Sequence, residues 1–114
     1  MRPIPPKLRE QIAQDPFMSK CIYKHTGQGE KCEGRVEWEH AFCYKTQINE
    51  AWAIVPCCTY HHRGAGLDKD FNKFMAIMRA DIDDVQRRMP KHNWIQEKKY
   101  LQNKYKNVVI GRRF

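Results

Sequence analysis

The sequence predicts a single α+β domain over residues 1–114, and three observations lead to it. A short segment, Arg35 to Glu39, alternates polar and apolar residues and ends at His40, which is strand periodicity. Phe71, Phe74, Met75 and Met78 recur at helical spacing. Between these lies a dense group of Cys and His residues with no regular period, which calls for a metal rather than for apolar packing.

The elements follow in order. Pro5 and Pro6 can open a helix over about Lys7 to Gln14, with Leu8 and Ile12 on one face and Asp15–Pro16 as its stop. Residues 17–34 carry Cys21 and Cys32 around the turn-rich stretch HTGQGEK and read as a zinc knuckle. The strand over 35–39 follows, then a loop from Ala41 to Glu50. Ala51–Val55 is apolar and reads as a second, buried strand closed by Pro56. Cys57 to Arg63 reads as the first turns of a helix, ended by Gly64 and Gly66. Asp68 can cap a helix reaching Ala80. A polar break over Ala80–Asp84 precedes a short helix that Pro90 stops. Asn93 can cap a last helix to about Tyr105, with Ile95, Leu101 and Tyr105 inside.

Composition narrows the function classes. The chain is 41% hydrophobic and 30% charged, which is globular rather than disordered. Its formal net charge of +8 favours an anionic partner, and nucleic acid is the expected one. No signal peptide or apolar span is evident, so a cytoplasmic setting with reduced thiols is expected. Five cysteines are an odd number, and with neighbouring histidines they read as metal ligands.

The charge is concentrated towards the end. From Arg87 to Phe114 there are nine Lys or Arg residues against the single acid Glu97, with Trp94, Tyr100 and Tyr105 among them. This basic region, about 81–114, is expected to contact phosphates through Arg87, Arg88, Lys98, Lys99 and Lys104. Its aromatics are equally readable as core.

The chemistry sits in WEHAFCYKTQINEAWAIVPCCTYHHRG, residues 38–64. Zinc takes four soft or borderline ligands in a tetrahedron. Cys58 and His61 are one helical turn apart, and Cys21 and Cys32 can complete a structural zinc site from the knuckle. Cys57 is a substitute for Cys58, because spacing does not separate adjacent cysteines. Cys43 reads as a small buried hydrophobe that could enter the site. His40 and His62 remain, with Glu39 beside the first. A neutral imidazole is a suitable base at cellular pH, and a carboxylate with a second imidazole can hold Mg²⁺ or another divalent ion.

This layout, over about residues 20–72, resembles the small HNH (His-Me finger) endonucleases of bacteriophages and prophages, whose fold is a ββα-metal core. The matching positions are Glu39–His40, then Asn49, then Cys58-Thr-Tyr-His61-His62. The resemblance implies hydrolysis of DNA with His40 as general base. It implies Glu39 and His62 as ligands of the catalytic divalent ion, and Asn49 as the residue that steadies the loop and His40. Gln47 and Glu50 are alternatives to Asn49, and Arg63 is placed to contact the phosphate. If Cys57 opened the helical group instead, His61 would become the catalytic histidine; the Cys58 register keeps four zinc ligands. His25 and His92 match nothing and are expected on the surface. The alternative reading is a non-catalytic zinc-stabilised module that binds nucleic acid. A redox role for Cys57–Cys58 is disfavoured, since adjacent cysteines rarely bridge without strain.

Overall fold

The structure is a computed structural model of the chain, and it describes residues 4–27, 29–42 and 48–108. Among these, two strands pair antiparallel: β1 (Val36–His40) and β2 (Ile54–Cys58), with Val36 opposite Cys58 and His40 opposite Ile54. Six α-helices surround them: α1 (Pro6–Ala13), α2 (Ile22–His25), α3 (Thr59–Arg63), α4 (Lys69–Arg79), α5 (Ile82–Arg88) and α6 (Trp94–Lys104). This is an α+β fold in which two strands followed by a helix form the centre, an order compatible with a ββα-metal arrangement.

β1 forms one residue later than the alternation suggests, and β2 is displaced by three. Ala51–Ala53 make a 3₁₀ turn, and the strand runs through Pro56 rather than ending at it. The ladder explains why. Thr59 N–H donates to Arg35 C=O and Ala41 N–H to Ala53 C=O, so pairs 37/57 and 39/55 also fall at hydrogen-bonded positions. Pro56 stands opposite Trp38 at a non-hydrogen-bonded position. There its missing N–H costs no ladder bond, so proline is tolerated.

β2 is buried along its whole length, whereas β1 is half-buried. Alternation puts Glu37, Glu39, Val55 and Cys57 on one face and Trp38, His40, Ile54 and Cys58 on the other. α3 begins at Thr59 rather than at Cys57, because Cys57 and Cys58 are still extended and Cys58 serves as its N-cap.

α4 is the principal buried helix. The Asp68 carboxylate caps it by accepting from Phe71 N–H, and Phe71, Asn72, Phe74, Met75, Ala76 and Ile77 are buried. Val85 of α5, with Trp94 and Leu101 of α6, closes the core beside Phe42. Fully burying one such side chain contributes about 1.5–3 kcal/mol.

Two further expectations change. The polar break is shorter than the sequence suggests, because Asp81 caps α5 through Asp83 N–H. Ile95 is 51% exposed, and Trp94 takes the inward position. Asn93 caps α6 as expected, and that cap fixes a stripe of Trp94, Leu101 and Tyr105, leaving Ile95 about 100° away. Asp15 does not merely end α1; its carboxylate accepts from Phe17 N–H to start the following 3₁₀ turn, and Arg79 binds it at 2.7 Å. No helix among the described residues is long and apolar enough to cross a membrane.

Candidate metal centre and the adjoining polar groove

The knuckle and the start of α3 bring Cys21, Cys32, Cys58 and His61 together, with one ligand atom from each lying within 4.8 Å of all the others. Cys21 precedes α2, Cys32 follows a 3₁₀ turn at Gly29–Lys31, Cys58 ends β2 and His61 sits in α3. The three sulfurs lie 3.7, 3.6 and 3.1 Å from His61 Nδ1. A tetrahedral zinc with standard bond lengths separates sulfur from nitrogen by about 3.6 Å. The donor set and its spacing therefore fit such an ion.

The surroundings favour a closed structural site. Cys21, Cys58 and His61 are buried, and the Tyr23 ring stacks on His61 at 3.7 Å. Burial raises the Cys21 thiol above its ordinary value and pushes Cys32 up to about 12. Burial acts on Cys58 in the same direction, but hydrogen bonding with the backbone of His61 and Glu33 brings it lower overall. Burial also lowers His61, so the imidazole stays neutral and keeps a lone pair for a metal. Gly34, at φ +81°, brings the knuckle against Thr59 at the start of α3; a Cβ there would lie 2.5 Å from Thr59 Oγ1.

Cys58 rather than Cys57 joins the cluster. Strand alternation turns Cys57 to the opposite face, where its thiol points to Glu39 Oε2 (3.8 Å) and Asn72 Oδ1 (3.7 Å). Cys57 is therefore not the substitute ligand the sequence left open. Cys43 and Gln47 lie outside the described residues.

His40 and His62 form two separate hydrogen-bonded pairs. His40 Nε2 meets Asn49 Oδ1 at 2.7 Å. An amide oxygen accepts only, so Nε2 is the donor in this pair. His62 Nδ1 meets Glu37 Oε1 at 2.7 Å, which leaves Nε2 open. Arg63 donates to the other Glu37 oxygen at 2.9 Å, and Arg35 Nε lies 3.6 Å from it. The hydrogen bond from His62, with Arg63 close by, holds the Glu37 carboxyl below the usual carboxylate range. Glu37 went unnoticed in the sequence, although strand period two places it on the same face as Glu39.

Glu39 has a different environment. Burial raises its carboxyl above the usual range, and the charges of His62 and Lys69 offset this in part. Asn72 Nδ2 and the Cys57 thiol both bind Oε2. Oε1 has no hydrogen-bond partner among the described residues.

A groove of about 520 Å³ runs along the outer edge of β1, with Arg9, Arg35, Glu37, Trp38, His62 and Arg63 among its lining. His62 thus faces open space, whereas the neighbouring His61 faces the thiols. The structure shows no contact between the His40 and His62 rings.

The C-terminal cations are less free than their sequence density suggests. Arg87 pairs with Asp84 at 2.7 Å and Lys104 with Asp70 at 2.7 Å. Arg88 and Lys99 are exposed, Lys98 is half-buried, and Arg88 lines a shallow hollow with Glu50, Trp52, Asp84 and Arg87. Trp94 is core, Tyr105 is half-buried with its hydroxyl on Asp68, and Tyr100 stays exposed. His25 is half-buried, stacked on Phe17 at 4.4 Å, so the expected surface position does not hold; His92 is exposed.

No protein-family model, curated protein or solved structure matches the chain.

Proposed function

We propose that the protein is a metal-dependent endonuclease of the HNH type, hydrolysing DNA phosphodiester bonds, with a structural zinc at Cys21, Cys32, Cys58 and His61. The observation that supports this reading is the ββα order itself, in which His40 ends β1, on the strand face opposite Glu39, and His62 follows the Cys58–His61 pair in α3. Each is held at one nitrogen, His40 by Asn49 and His62 by Glu37, and the other nitrogen has no hydrogen-bond partner among the described residues.

The zinc cluster braces the start of α3 and so fixes the direction of His62. Glu37 acts on His62 as carboxylates act on metal-binding histidines generally, setting the tautomer and raising ligand basicity. Glu39 Oε1 and His62 Nε2 are the atoms that would hold a divalent ion such as Mg²⁺. When bound, that ion supplies charge neutralisation at the phosphate and the departing oxygen. His40 takes the proton of the attacking water on Nδ1, while Nε2–H stays on Asn49 and resists ring rotation. Arg63, paired to Glu37 but 65% exposed, is placed to meet a phosphate oxygen.

The test is supercoiled plasmid with Mg²⁺ or Mn²⁺, using wild type and His40→Ala. Nicking that needs both the metal and His40 is the expected result. DNA binding with no cleavage under any divalent ion would instead establish the non-catalytic zinc module, which leaves the oriented pairs at Glu37 and Asn49 without a role.

A further inference from the structure

We infer that the groove along the outer edge of β1, and not chiefly the basic C-terminal helices, is the seat of the nucleic-acid backbone, with Arg9 and Arg35 as phosphate-binding residues. This rests on the nuclease reading for its ligand class. Nothing in the sequence pattern singled out either arginine; they are 26 positions apart and belong to α1 and to the turn before β1.

Three guanidinium groups, from Arg9, Arg35 and Arg63, line a groove of about 520 Å³ that also holds His62. One carboxylate, Glu37, lies among them, and it is already bound by His62 and Arg63, so the groove keeps an excess of two positive charges. The cations are pre-placed. Arg9 lies over the Trp38 indole, 5.8 Å from its centroid, and Arg35 and Arg63 are drawn towards Glu37. Arg35 is nonetheless 84% exposed, so its remaining N–H groups face solvent and can turn to an incoming oxyanion. Guanidinium suits this task, because its planar fork binds two phosphate oxygens at once. In the C-terminal helices, by contrast, Arg87 and Lys104 are engaged with Asp84 and Asp70.

Phosphates of one strand laid along this groove pass beside His62, which a strand bound over α5 and α6 does not require. The ligand is the sugar-phosphate backbone, common to DNA and RNA. Labelled oligonucleotides of both kinds distinguish the two sources.

The experiment measures binding by fluorescence anisotropy over a salt series. It uses zinc-loaded protein without added Mg²⁺ or Mn²⁺, so that no cleavage intervenes. Arg9→Gln and Arg35→Gln keep part of the apolar stem, and thermal melts confirm that each variant is folded. Each is expected to weaken binding several-fold and to lower the salt slope by about one. Arg88→Gln with Lys99→Gln is expected to lose less than either. Groove variants that bind like wild type overturn the inference, as does a wild-type protein that binds neither oligonucleotide. Groove-dependent binding without cleavage under any divalent ion upholds the groove and removes the nuclease reading, so the two failures are separable.

Discussion

His61 and His62 are neighbours in one short helix and live in opposite surroundings. His61 is 4% exposed, stacked on Tyr23, with three sulfurs around its Nδ1. His62 has a carboxylate on Nδ1 and an open groove before it. A helix turns about 100° per residue, which is enough to aim adjacent rings at unrelated partners. The contrast teaches that position along the chain says little about role here. Three thiols surround one ring, whereas the Glu37 carboxylate and an open groove surround its neighbour.

The sharpest way to break this contrast is to remove the brace. Zinc chelation, or Cys58→Ser, is expected to unfold the knuckle and α3, since structural zinc contributes on the order of 10 kcal/mol. Circular dichroism should lose helix signal and the melting transition should vanish; a chelated protein that melts as before removes the structural role. Acid should act in the same direction. The bound form has given up thiol protons that the metal-free site holds firmly, Cys32 up to about 12, so zinc affinity falls as pH falls. Zinc release against pH, followed with a chromogenic chelator, reads this directly, and release on raising pH from neutral would reverse the assignment.

Next in size is the effect on the other side of the contrast. His40→Ala should leave the melting temperature nearly unchanged and reduce plasmid nicking by about 10²–10⁴-fold. Equal losses of stability and activity would mean that His40 is structural.

Glu39 offers a finer test. Burial raises its carboxyl, so the folded state favours the protonated form. That favourable contribution is present at low pH and is lost as pH rises through the raised value. Glu39→Gln keeps an acceptor for Asn72 and Cys57 without the charge. At neutral pH it is expected to raise the melting temperature by a few degrees while abolishing nicking. Calorimetry at pH 7 and at pH 4 checks the sign, with the gain confined to pH 7.

The smallest effect lies away from both regions. Arg87 and Asp84 form a helical i,i+3 pair with both side chains well exposed. Arg87→Ala should change unfolding free energy by less than about 0.5 kcal/mol. A larger loss in urea titration would mean that the C-terminal helices depend on their surface charges.

Much of this was legible before any coordinates. The caps at Asp68 and Asn93 show in the sequence because capping is local chemistry, settled within three residues. The group Cys21, Cys32, Cys58 and His61 shows in part, because few other residues fit a tetrahedral soft site, but Cys57 against Cys58 is settled only by the phase of β2. The displaced β2 did not show, since proline reads as a stop unless the ladder's phase is known, and that phase depends on a partner strand. Glu37 was hidden for a related reason. Its tie to His62 spans 25 residues and arises only when α3 folds back over β1. Ile95 misled because a helix's inward face follows from tertiary docking, and Trp94 docks against Phe42.

The adjacent thiols at the end of β2 make the strand's pairing a chemical address. A slip of one position would turn Cys57 towards the knuckle and swing Cys58 to the Glu39 side. A misaligned hairpin would thereby present Cys57 rather than Cys58 to Cys21 and Cys32, and lose the one-turn spacing of Cys58 and His61. The strand's pairing thus decides which of two adjacent thiols stands beside His61 and which beside Glu39.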